Sequence, residues 1–382
     1  MVRRNSSKVR RMARELSDDD RITRLPDAVI HHIFSFIDTR SVVQSSLLSQ
    51  SWKNTWKSHP HLNFEIGPSP DQVSGSKFPN FTRRFLSKRD DVTELSTIAF
   101  RSNSITLRLL KKIILYAMSH KTRKLKIEFS GDKLTRRGRF DSSLLRSRYL
   151  QHLSLNIDFG LKSSPSLTWD SPALTTLTIK CVTFTLQLVN DDASKSVDLF
   201  SRFPNLKTLA LDDCTLSDID TFITKSSELE SLYLIGIYHS CEFVVSAPKL
   251  SLFTYNNGIA RFSLSAKDLN SLNTVNFQTI YSRSIEEHSM LLELMIKTFQ
   301  QLYKAKSLTI NLEALKLLSM FPELCERRNC PFTSLQSLTV VSGHWLPHSL
   351  TGFSSVFDYF SRNSPAIKIH IDLNPTPLQF RY

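Results

Sequence analysis

The chain has 382 residues, enough for two ordinary domains or for one elongated domain with a small appendage. Hydrophobic residues make up 41% of it and aromatic residues 10%, which permits a packed core and excludes a wholly disordered chain. The formal net charge of +14 suits a nucleic-acid partner, an acidic protein partner or a merely basic surface. No apolar run approaches the roughly 20 residues of a membrane-spanning helix, so we predict no membrane association.

Residues 1–20 form a polar tail with two basic clusters in "RRNSSKVRRMAR", followed by three aspartates. Paired basic clusters are typical of nuclear-import signals, and a solvated, disordered leader explains them as well. The tail lacks the apolar core of a secretory signal. We therefore expect the protein in the nucleus, the cytoplasm or both.

Residues 21–63 carry many apolar side chains for so short a segment. Pro26 suits the first turn of a helix, a break follows at Asp38, and a third short helix is predicted to begin near Ser49. The apolar positions recur at helical spacing: Val29, Ile30, Ile33, Phe34, Ile37, Val42, Val43, Leu47, Trp52 and Trp56. Three helices of this size cannot bury all of these groups alone, and the segment has neither cysteines nor a set of metal ligands. We predict that another surface completes it.

Residues 64–90 include the stretch "IGPSPDQVSGSKFPN", which is rich in Pro, Gly and Ser. Such residues favour turns and loops over regular elements. The sequence therefore predicts a linker over 64–90, between the helical segment and the remainder, 91–382.

From residue 91 onwards the chain repeats one short phrase, which is apolar at its first, fourth and sixth positions. The clearest copies are "LQHLSL", "LTTLTI", "LKTLAL", "LESLYL" and "LQSLTV", starting at Leu150, Leu174, Leu206, Leu229 and Leu335. Weaker copies start at Leu95, Thr122, Leu250, Leu272 and Ala305. Their alternation predicts strands, and their spacing is typical of leucine-rich repeats with insertions. One insertion is predicted to be a helix, with an apolar stripe from Leu291 to Tyr303.

Each repeat can bury its apolar ridge only by stacking on its neighbours. The phrase therefore predicts inward leucines at Leu153, Leu177, Leu209, Leu232 and Leu338. The residues between the inward positions would form the concave face of a solenoid, where solenoids generally bind their partners. The candidates for target binding on that face are Lys124, Lys126, Lys180, Asp212 and Tyr233.

Sequence signals for catalysis or for cofactor binding are missing. The chain has nine glycines and contains no G-x-G-x-x-G or G-x-x-x-x-G-K-[ST] loop and no G-x-S-x-G elbow. Its five cysteines are scattered, and we expect reduced, mostly buried thiols. We predict a protein that needs no cofactor or metal and is not an enzyme.

The helical segment at 21–63 resembles an F-box. The resemblance is carried by Leu25 with Pro26, by Ile33 with Phe34, and by the closing "LSQSWKNTW". Residues 91 to about 350 resemble the degenerate leucine-rich repeats of plant F-box/LRR-repeat proteins, most clearly in "FPNLKTLALDDC" at 203–214. Many such proteins end in a further small domain, and the tail "AIKIHIDLNPTPLQFRY" is either its remnant or a final strand.

The resemblance implies an α/β architecture in which a small three-helix F-box precedes a leucine-rich-repeat solenoid. Parallel strands would line the concave face, and helices and loops would cover the convex face. It also implies the substrate-recognition subunit of an SCF-type cullin–RING ubiquitin ligase. In such a subunit the F-box binds a small acidic adaptor, and through it a cullin, while the repeats bind a target protein.

On this reading the apolar residues of the F-box divide between an adaptor contact and a small interior. We expect adaptor contacts at Leu25, Pro26, Ile30, Ile33, Phe34, Val42, Leu48 and Trp52. We expect an interior formed by Ile37, Leu47 and Trp56, and a basic rim at Arg21, Arg24, Lys53 and Lys57.

Two alternatives to the ligase subunit are open. The first is an F-box scaffold protein that acts outside ubiquitylation. The second is a basic solenoid that binds nucleic acid, and it is disfavoured because Lys124, Lys126 and Lys180 have no aromatic residues interleaved with them on the predicted face.

Overall fold

A computed structural model describes residues 25–65, 77–102, 107–129, 146–157, 161–163, 171–186, 195–198, 200–239, 241–256, 261–264, 269–279, 285–323, 329–343 and 351–373. The chain divides into two compact units, Met1–Glu128 and Phe129–Tyr382. The predicted basic tail at 1–20 and the rim residues Arg21 and Arg24 lie outside the described residues. No helix in the described ranges is both long enough and apolar enough to cross a membrane.

The first unit opens with helices α1 (Asp27–Phe34) and α2 (Thr39–Ser45). Asp38 caps α2, because its Oδ1 accepts hydrogen bonds from the backbone amides of Arg40 at 2.9 Å and Ser41 at 3.0 Å. The third α-helix predicted near Ser49 is absent from this described segment: turns lead to a single 3-10 turn, Thr55–Lys57. Ser49, Ser51, Asn54 and Thr55 lie around Trp52. Side chains of these types compete for backbone hydrogen bonds and so weaken a helix.

Three strands and two helices complete the first unit: β1 (His61–Glu65), α3 (Lys77–Lys88), β2 (Thr97–Ser102), α4 (Leu107–Ser119) and β3 (Lys124–Phe129). The strands are neighbours in the order β1-β2-β3, and β1 and β2 pair in parallel. The sheet therefore begins at His61 rather than at residue 91.

Helix α3 lies within the segment predicted to be a linker. Its aromatic residues hold it against the strands: the ring of Phe78 lies 5.8 Å from that of Phe100, and the ring of Phe85 lies 5.5 Å from that of Phe64. The prolines, glycines and serines of 66–80 obscured this pattern. Phe78, Phe81 and Phe85 recur at spacings of three and four, which is the signature of a helix face.

The second unit is built on nine neighbouring strands. In sheet order they are β4 (His152–Ile157), β6 (Thr176–Lys180), β9 (Thr208–Asp212), β12 (Ser231–Ile235), β15 (Leu252–Asn256), β17 (Thr274–Gln278), β18 (Ser307–Asn311), β19 (Ser337–Val341) and β20 (Lys368–Asp372). All ten copies of the Leu phrase coincide with strands, eight here and two in the first unit. The tail of the chain contributes β20, which is the predicted final strand.

The register of these strands aligns the leucines of successive repeats. Leu177 pairs with Leu153 on one side and with Leu209 on the other, and Leu209 pairs with Leu232. These four and Leu338 are at most 2% exposed, so the predicted inward positions are confirmed. Between them the strands alternate buried and part-exposed residues, as stacked repeats require.

The return segments of the middle repeats are strands, which differs from the helices and loops expected there. One small parallel sheet has the order β13 (Tyr238–His239), β10 (Thr215–Ser217), β7 (Thr183–Leu186), β5 (Leu161–Ser163). A second has the order β16 (Arg261–Leu264), β14 (Glu242–Ser246), β11 (Thr221–Lys225), β8 (Ser196–Asp198). The repeats starting at Leu206 and Leu229 are short, and their return segments alternate apolar and polar residues, which favours strands over a helix.

Helices return the chain in the later repeats: α5 (Ile285–Gln301), α6 (Leu312–Ser319) and α7 (Ser354–Arg362), the last preceded by a 3-10 turn at Thr351–Phe353. Helix α5 confirms the predicted helical insertion, and its Leu292, Met295 and Phe299 are buried. Helix α6 is capped by Asn311, whose side chain accepts a hydrogen bond from the Ala314 amide at 3.2 Å.

One backbone turn recurs after the strands β6, β9 and β12. Cys181, Asp213 and Gly236 each have φ between 50° and 58°, in the left-handed region. The amide of each donates a hydrogen bond to a carbonyl on the next strand, at 2.7–2.9 Å. A Cβ on Gly236 would lie 2.3 Å from Oδ1 of Asp213, so a larger residue in the third turn would meet both a strained φ and a close carboxylate.

Candidate protein-interaction surfaces

The helical segment has a small interior of its own. It is formed by Ile30, Phe34, Val42 and Trp52, with Leu25, Ile37 and Trp56 packed against it. The rings of Phe34 and Trp52 meet edge to face with their centroids 5.7 Å apart. These contacts bury one side of α1.

The same segment leaves a second set of large apolar side chains in solvent. Phe36, Leu47 and Leu48 are 75%, 86% and 77% exposed, and Val29 and Ile33 are 41% and 43% exposed. Val29, Ile33 and Phe36 follow one another at spacings of four and three, so they lie along one side of α1 and the turn after it. Leu47 and Leu48 occupy the turns after α2. This is an apolar surface with no cover among the described residues.

A third part of the segment packs on the first strand and on α3. The ring of Trp56 lies 5.2 Å from that of Phe85, and the Asn63 amide donates a hydrogen bond to Oγ1 of Thr39 at 2.8 Å. Arg89 is almost fully buried at this junction, where its Nη2 donates to the carbonyl of His59 at 2.8 Å and its Nη1 to the hydroxyl of Tyr116 at 3.2 Å. The chain itself therefore completes part of the helical segment.

His59 is buried at this junction among aromatic rings. Its ring lies 5.8 Å from that of Phe34, 5.4 Å from that of His31 and 5.6 Å from that of His61. Neither ring nitrogen has a hydrogen-bond partner among the described residues. Burial, with smaller contributions from the neighbouring histidines and Arg89, lowers the pKa of His59 to about 3. His59 is thus a neutral packing residue at physiological pH.

Charged side chains occupy the outward face of β2 and β3 in the first unit. Lys126 Nζ lies 2.9 Å from Oε1 of Glu128, and Arg101 also pairs with Glu128, while Lys124 is exposed. Burial acts to raise the pKa of Glu128, but the hydrogen bonds from Arg101 and Lys126 outweigh it and hold the pKa below its ordinary value. Glu128 therefore stays ionised, and it forms ion pairs with two of the cations on this face, Arg101 and Lys126.

On the outward face of the second unit, Lys180, Asp212 and Tyr233 come from three adjacent strands. Lys180 and Asp212 are register partners, and their Nζ and Oδ2 atoms are 2.6 Å apart. Tyr233 pairs in register with Ala210, whose small side chain leaves the tyrosine ring room on the face. Burial raises the pKa of Tyr233, so its hydroxyl remains protonated and can donate a hydrogen bond. The arrangement offers a cation, an anion and an aromatic ring to a partner.

Comparison with known proteins identifies both parts of the chain. The F-box domain family matches residues 22–64. An F-box/LRR-repeat protein of Arabidopsis thaliana is 25% identical over 320 residues, which are 79% of this chain and 62% of that protein. Another is 25% identical over 377 residues, 96% of this chain and 73% of that protein. The chain thus contains an F-box domain and over most of its length is similar to plant F-box/LRR-repeat proteins.

An F-box/FBD/LRR-repeat protein of the same plant is 29% identical over 254 residues, 64% of this chain and 55% of that relative. This chain thus spans less than two thirds of the length of several curated F-box/LRR relatives that it matches.

The structure corrects the expected division of the F-box. Of the eight residues predicted to contact an adaptor, four form the interior and are not accessible in this conformation: Ile30, Phe34, Val42 and Trp52. Leu25 is half-buried against that interior, and Pro26, Ile33 and Leu48 are exposed. Leu47, predicted to be internal, is the most exposed apolar residue among the described residues of the F-box, whereas Ile37 and Trp56 do pack inward.

Sequence reasoning missed Val29 and Phe36 as surface residues of the F-box. A helical stripe marks several apolar positions but not which of two adjacent sides faces the interior. Of the predicted rim cations, Lys53 is exposed, and Lys57 lies with its Nζ 5.8 Å from the centroid of the Trp56 ring.

The buried cysteines of the described residues are not suited to act as nucleophiles. Cys214, Cys241 and Cys330 are buried free thiols, and burial raises the pKa of Cys214 to about 12 and that of Cys241 to about 11. Such thiols are protonated and unreactive near pH 7. Within the described ranges no three His, Cys, Asp or Glu side chains are grouped to hold a metal.

Proposed function

We propose that this protein is the substrate-recognition subunit of an SCF-type cullin–RING ubiquitin ligase. In this role its F-box binds a small acidic adaptor, which links it to a cullin, and its repeats bind a target protein. The chain supplies binding surfaces only, and other subunits carry out the conjugation. The observation that carries the proposal is the exposure of Val29, Ile33, Phe36, Leu47 and Leu48 in a segment that matches the F-box domain.

Burial of these exposed side chains by a partner would contribute favourable free energy to binding. Fully burying one large aliphatic or aromatic side chain contributes about 1.5–3 kcal/mol. Phe36, Leu47 and Leu48 are each at least 75% exposed and so available for such burial, and their F-box already has a closed interior behind them. A partner helix laid against this apolar surface would gain most of its affinity there, and Lys53 would attract an acidic partner at the rim.

The adaptor contact is tested by co-expression of the full chain with the adaptor. The double variant Ile33→Ala with Leu48→Ala should abolish co-purification, because both side chains are exposed and neither supports the interior. The variant Leu25→Ala with Pro26→Ala should weaken it as well. Val92→Ala is the matched control, since Val92 is 87% exposed but lies outside the F-box, and it should change nothing. A wild-type protein that fails to capture the adaptor would refute the proposed contact.

Target binding is proposed for the outward faces of the strands, at Lys124 and Lys126 in the first unit and at Lys180, Asp212 and Tyr233 in the second. Tyr233 is the strongest single candidate, because partly buried aromatic residues dominate interface energies. In pull-downs under proteasome inhibition, Tyr233→Ala and the pair Lys124→Glu with Lys126→Glu should each reduce target capture and leave adaptor capture intact. Loss of both captures together would indicate misfolding.

Reconstitution of the complete ligase distinguishes a substrate receptor from an F-box scaffold that acts outside ubiquitylation. The proposed receptor should direct ubiquitin onto a captured target when adaptor, cullin and RING subunit are supplied. Assembly with the adaptor but without conjugation of any captured protein would favour a scaffold that acts outside ubiquitylation.

Residence in the nucleus, the cytoplasm or both is part of the same proposal, and it rests on the basic clusters of 1–20. Replacement of Arg3, Arg4, Arg10 and Arg11 by Gln in a fluorescent fusion should reduce nuclear signal if these clusters direct import. An unchanged distribution would leave the tail as a solvated leader.

A further inference from the structure

The positive charge of the chain is concentrated in its first third. Residues 1–128 contain 24 of the 49 Lys and Arg but only 12 of the 35 Asp and Glu, so they carry a formal charge of +12. Residues 129–382 hold the remaining 25 basic and 23 acidic residues and are close to neutral. The excess of basic residues is therefore largely confined to residues 1–128 and is not a general property of the chain.

Helix α3 presents part of that charge on its solvent side. Thr82, Phe85 and Leu86 are buried against the unit. The exposed residues form the opposite stripe, at helical spacing: Asn80, Arg83, Arg84, Ser87 and Lys88. No Asp or Glu occurs within Lys77–Lys88.

Helix α4 repeats this arrangement. Leu110, Ile113 and Ala117 have no exposed surface. The exposed stripe is Arg108, Lys111, Lys112 and Leu115, again with spacings of three and four. The helix Leu107–Ser119 likewise lacks any Asp or Glu. Each helix therefore carries three exposed cations in a row.

The two rows lie on the same side of the first unit. Helices α3 and α4 contact each other, and each connects neighbouring strands in the order β1-β2-β3. Crossovers between parallel neighbours are right-handed, which places both helices on one face of the sheet. The six cations thus form one surface, the basic helix face, which consists of Arg83, Arg84, Lys88, Arg108, Lys111 and Lys112. It lies across the strands from the face that carries Lys124 and Lys126.

Nearby carboxylates do not neutralise the basic helix face. Asp90 accepts hydrogen bonds from the Val92 amide at 2.9 Å and from the Thr93 hydroxyl at 3.0 Å, and Glu94 pairs with Lys121 at 2.6 Å. Asp91 is exposed beyond the end of α3. No ion pair joins any of the six cations to a carboxylate within the described residues, and the one polar contact of these side chains runs from Arg83 Nη1 to Oδ1 of Asn80 at 3.1 Å.

We propose that the basic helix face binds the phosphate backbone of a nucleic acid without reading its base sequence. Cations four residues apart along a helix are separated by about 6 Å, and packed helix axes lie roughly 8–10 Å apart, so the face spans several backbone phosphates. Its side chains are long and exposed, which suits phosphate contacts that need charge rather than fixed geometry.

A polypeptide partner fits this face less well. Protein interfaces have an apolar centre from which charged residues are depleted. Among the side chains of α3 and α4 that the structure describes, Leu115 is the one large apolar residue that is exposed, at 54%. Contacts from the cations of this face to phosphates carry no sequence information, which is why the binding is inferred to be independent of base sequence.

The test uses the full chain and a fluorescently labelled, mixed-sequence single-stranded RNA, with binding followed by anisotropy over a range of KCl concentrations. Neutralising α4 with Arg108→Gln, Lys111→Gln and Lys112→Gln should weaken binding about tenfold at 0.1 M salt. It should also reduce the slope of log K against log salt by about 2, the value for three phosphate contacts on a single strand. The corresponding α3 variant, Arg83→Gln with Arg84→Gln and Lys88→Gln, should behave in the same way.

Three controls make the outcome decisive. The variant Lys207→Gln with Lys225→Gln and Lys249→Gln removes the same number of exposed cations from the second unit and should leave binding unchanged. Replacing Arg3, Arg4, Arg10 and Arg11 by Gln tests the tail. The proposal is overturned if this tail variant abolishes binding while the helix variants do not. It is also overturned if poly-glutamate binds the wild-type protein as tightly as RNA does at equal ionic strength, which would identify an acidic protein as the partner.

Discussion

The F-box and the repeat strands treat their apolar side chains in opposite ways. In the strands, the inward leucines are at most 2% exposed, because the neighbouring repeat places a leucine at the same register. In the F-box, Ile30 and Phe34 are equally buried, yet Ile33 and Phe36 on the adjacent side are in solvent. A repeat is closed by the next repeat of the same chain. The F-box keeps one apolar surface that its own chain leaves open among the described residues.

The sharpest test of this comparison lies within the F-box itself. Phe34→Ala should cost about 3–5 kcal/mol in the free energy of unfolding, because it empties an interior position and removes the contact with Trp52. Leu48→Ala should change stability by less than about 0.5 kcal/mol, as exposed substitutions do. Guanidinium denaturation followed by circular dichroism measures both. Equal losses would mean that the exposed surface is part of the folded core.

Leu209 tests the burial of the inward leucines in the repeat strands. Leu209→Ala should cost about 2–5 kcal/mol, since the side chain has no exposed surface and its neighbours on β6 and β12 cannot collapse into the space. Thr208→Ala, one residue earlier and part-exposed, should cost little. The same denaturation measurement applies, and similar losses for the two variants would show that the inward phase of the strand is wrong.

The free energy of unfolding should depend on pH through His59, which is buried where the F-box packs on β1 and α3. The pKa of His59 is lowered to about 3 in the folded protein, so on acidification the unfolded chain takes up its proton first, near pH 6.5. Protonation of His59 in the unfolded chain therefore lowers the free energy of unfolding as the pH falls, and this loss is absent at a pH well above 6.5. Between pH 7 and pH 5 the loss should be about 2 kcal/mol.

His59→Phe should flatten this dependence, because the ring is buried against Phe34 and its nitrogens make no hydrogen bond among the described residues. His32→Gln, at an exposed position of α1, is the matched control and should retain the wild-type dependence. Unfolding midpoints measured at pH 5, 6 and 7 provide the comparison. A steep dependence that survives in His59→Phe would assign it to other groups, His61 first among them.

The smallest expected effect concerns the turn that recurs in the repeats. Gly236→Ala should cost about 1–2 kcal/mol, because its φ of 58° is strained for an L side chain and the carboxylate of Asp213 must move away. Gly352→Ala has open space around its Cβ and should be nearly neutral. Thermal unfolding of the two variants makes the measurement, and a neutral Gly236→Ala would show that this turn relaxes freely.

The sequence by itself determined the repeat strands and their phase. A strand shows its inward side every second residue, and a phrase such as "LKTLAL" combines that period with leucines that only an interior accommodates. It also determined α1, α2 and α5, whose apolar stripes or caps are local features. The members of these patterns are close in sequence, so no distant contact is needed to interpret them.

Only the tertiary structure decided which apolar residues of the F-box are inside, because Val29, Ile30, Ile33 and Phe34 have almost the same polarity and adjacent positions on one helix. It also decided that the predicted linker holds α3, and that the middle repeats return as strands. In each case the deciding contact joins residues that are distant in the sequence, such as Phe85 with Phe64 or Thr221 with Ser196. Burial depends on what lies opposite a side chain, and a local pattern does not specify its neighbour.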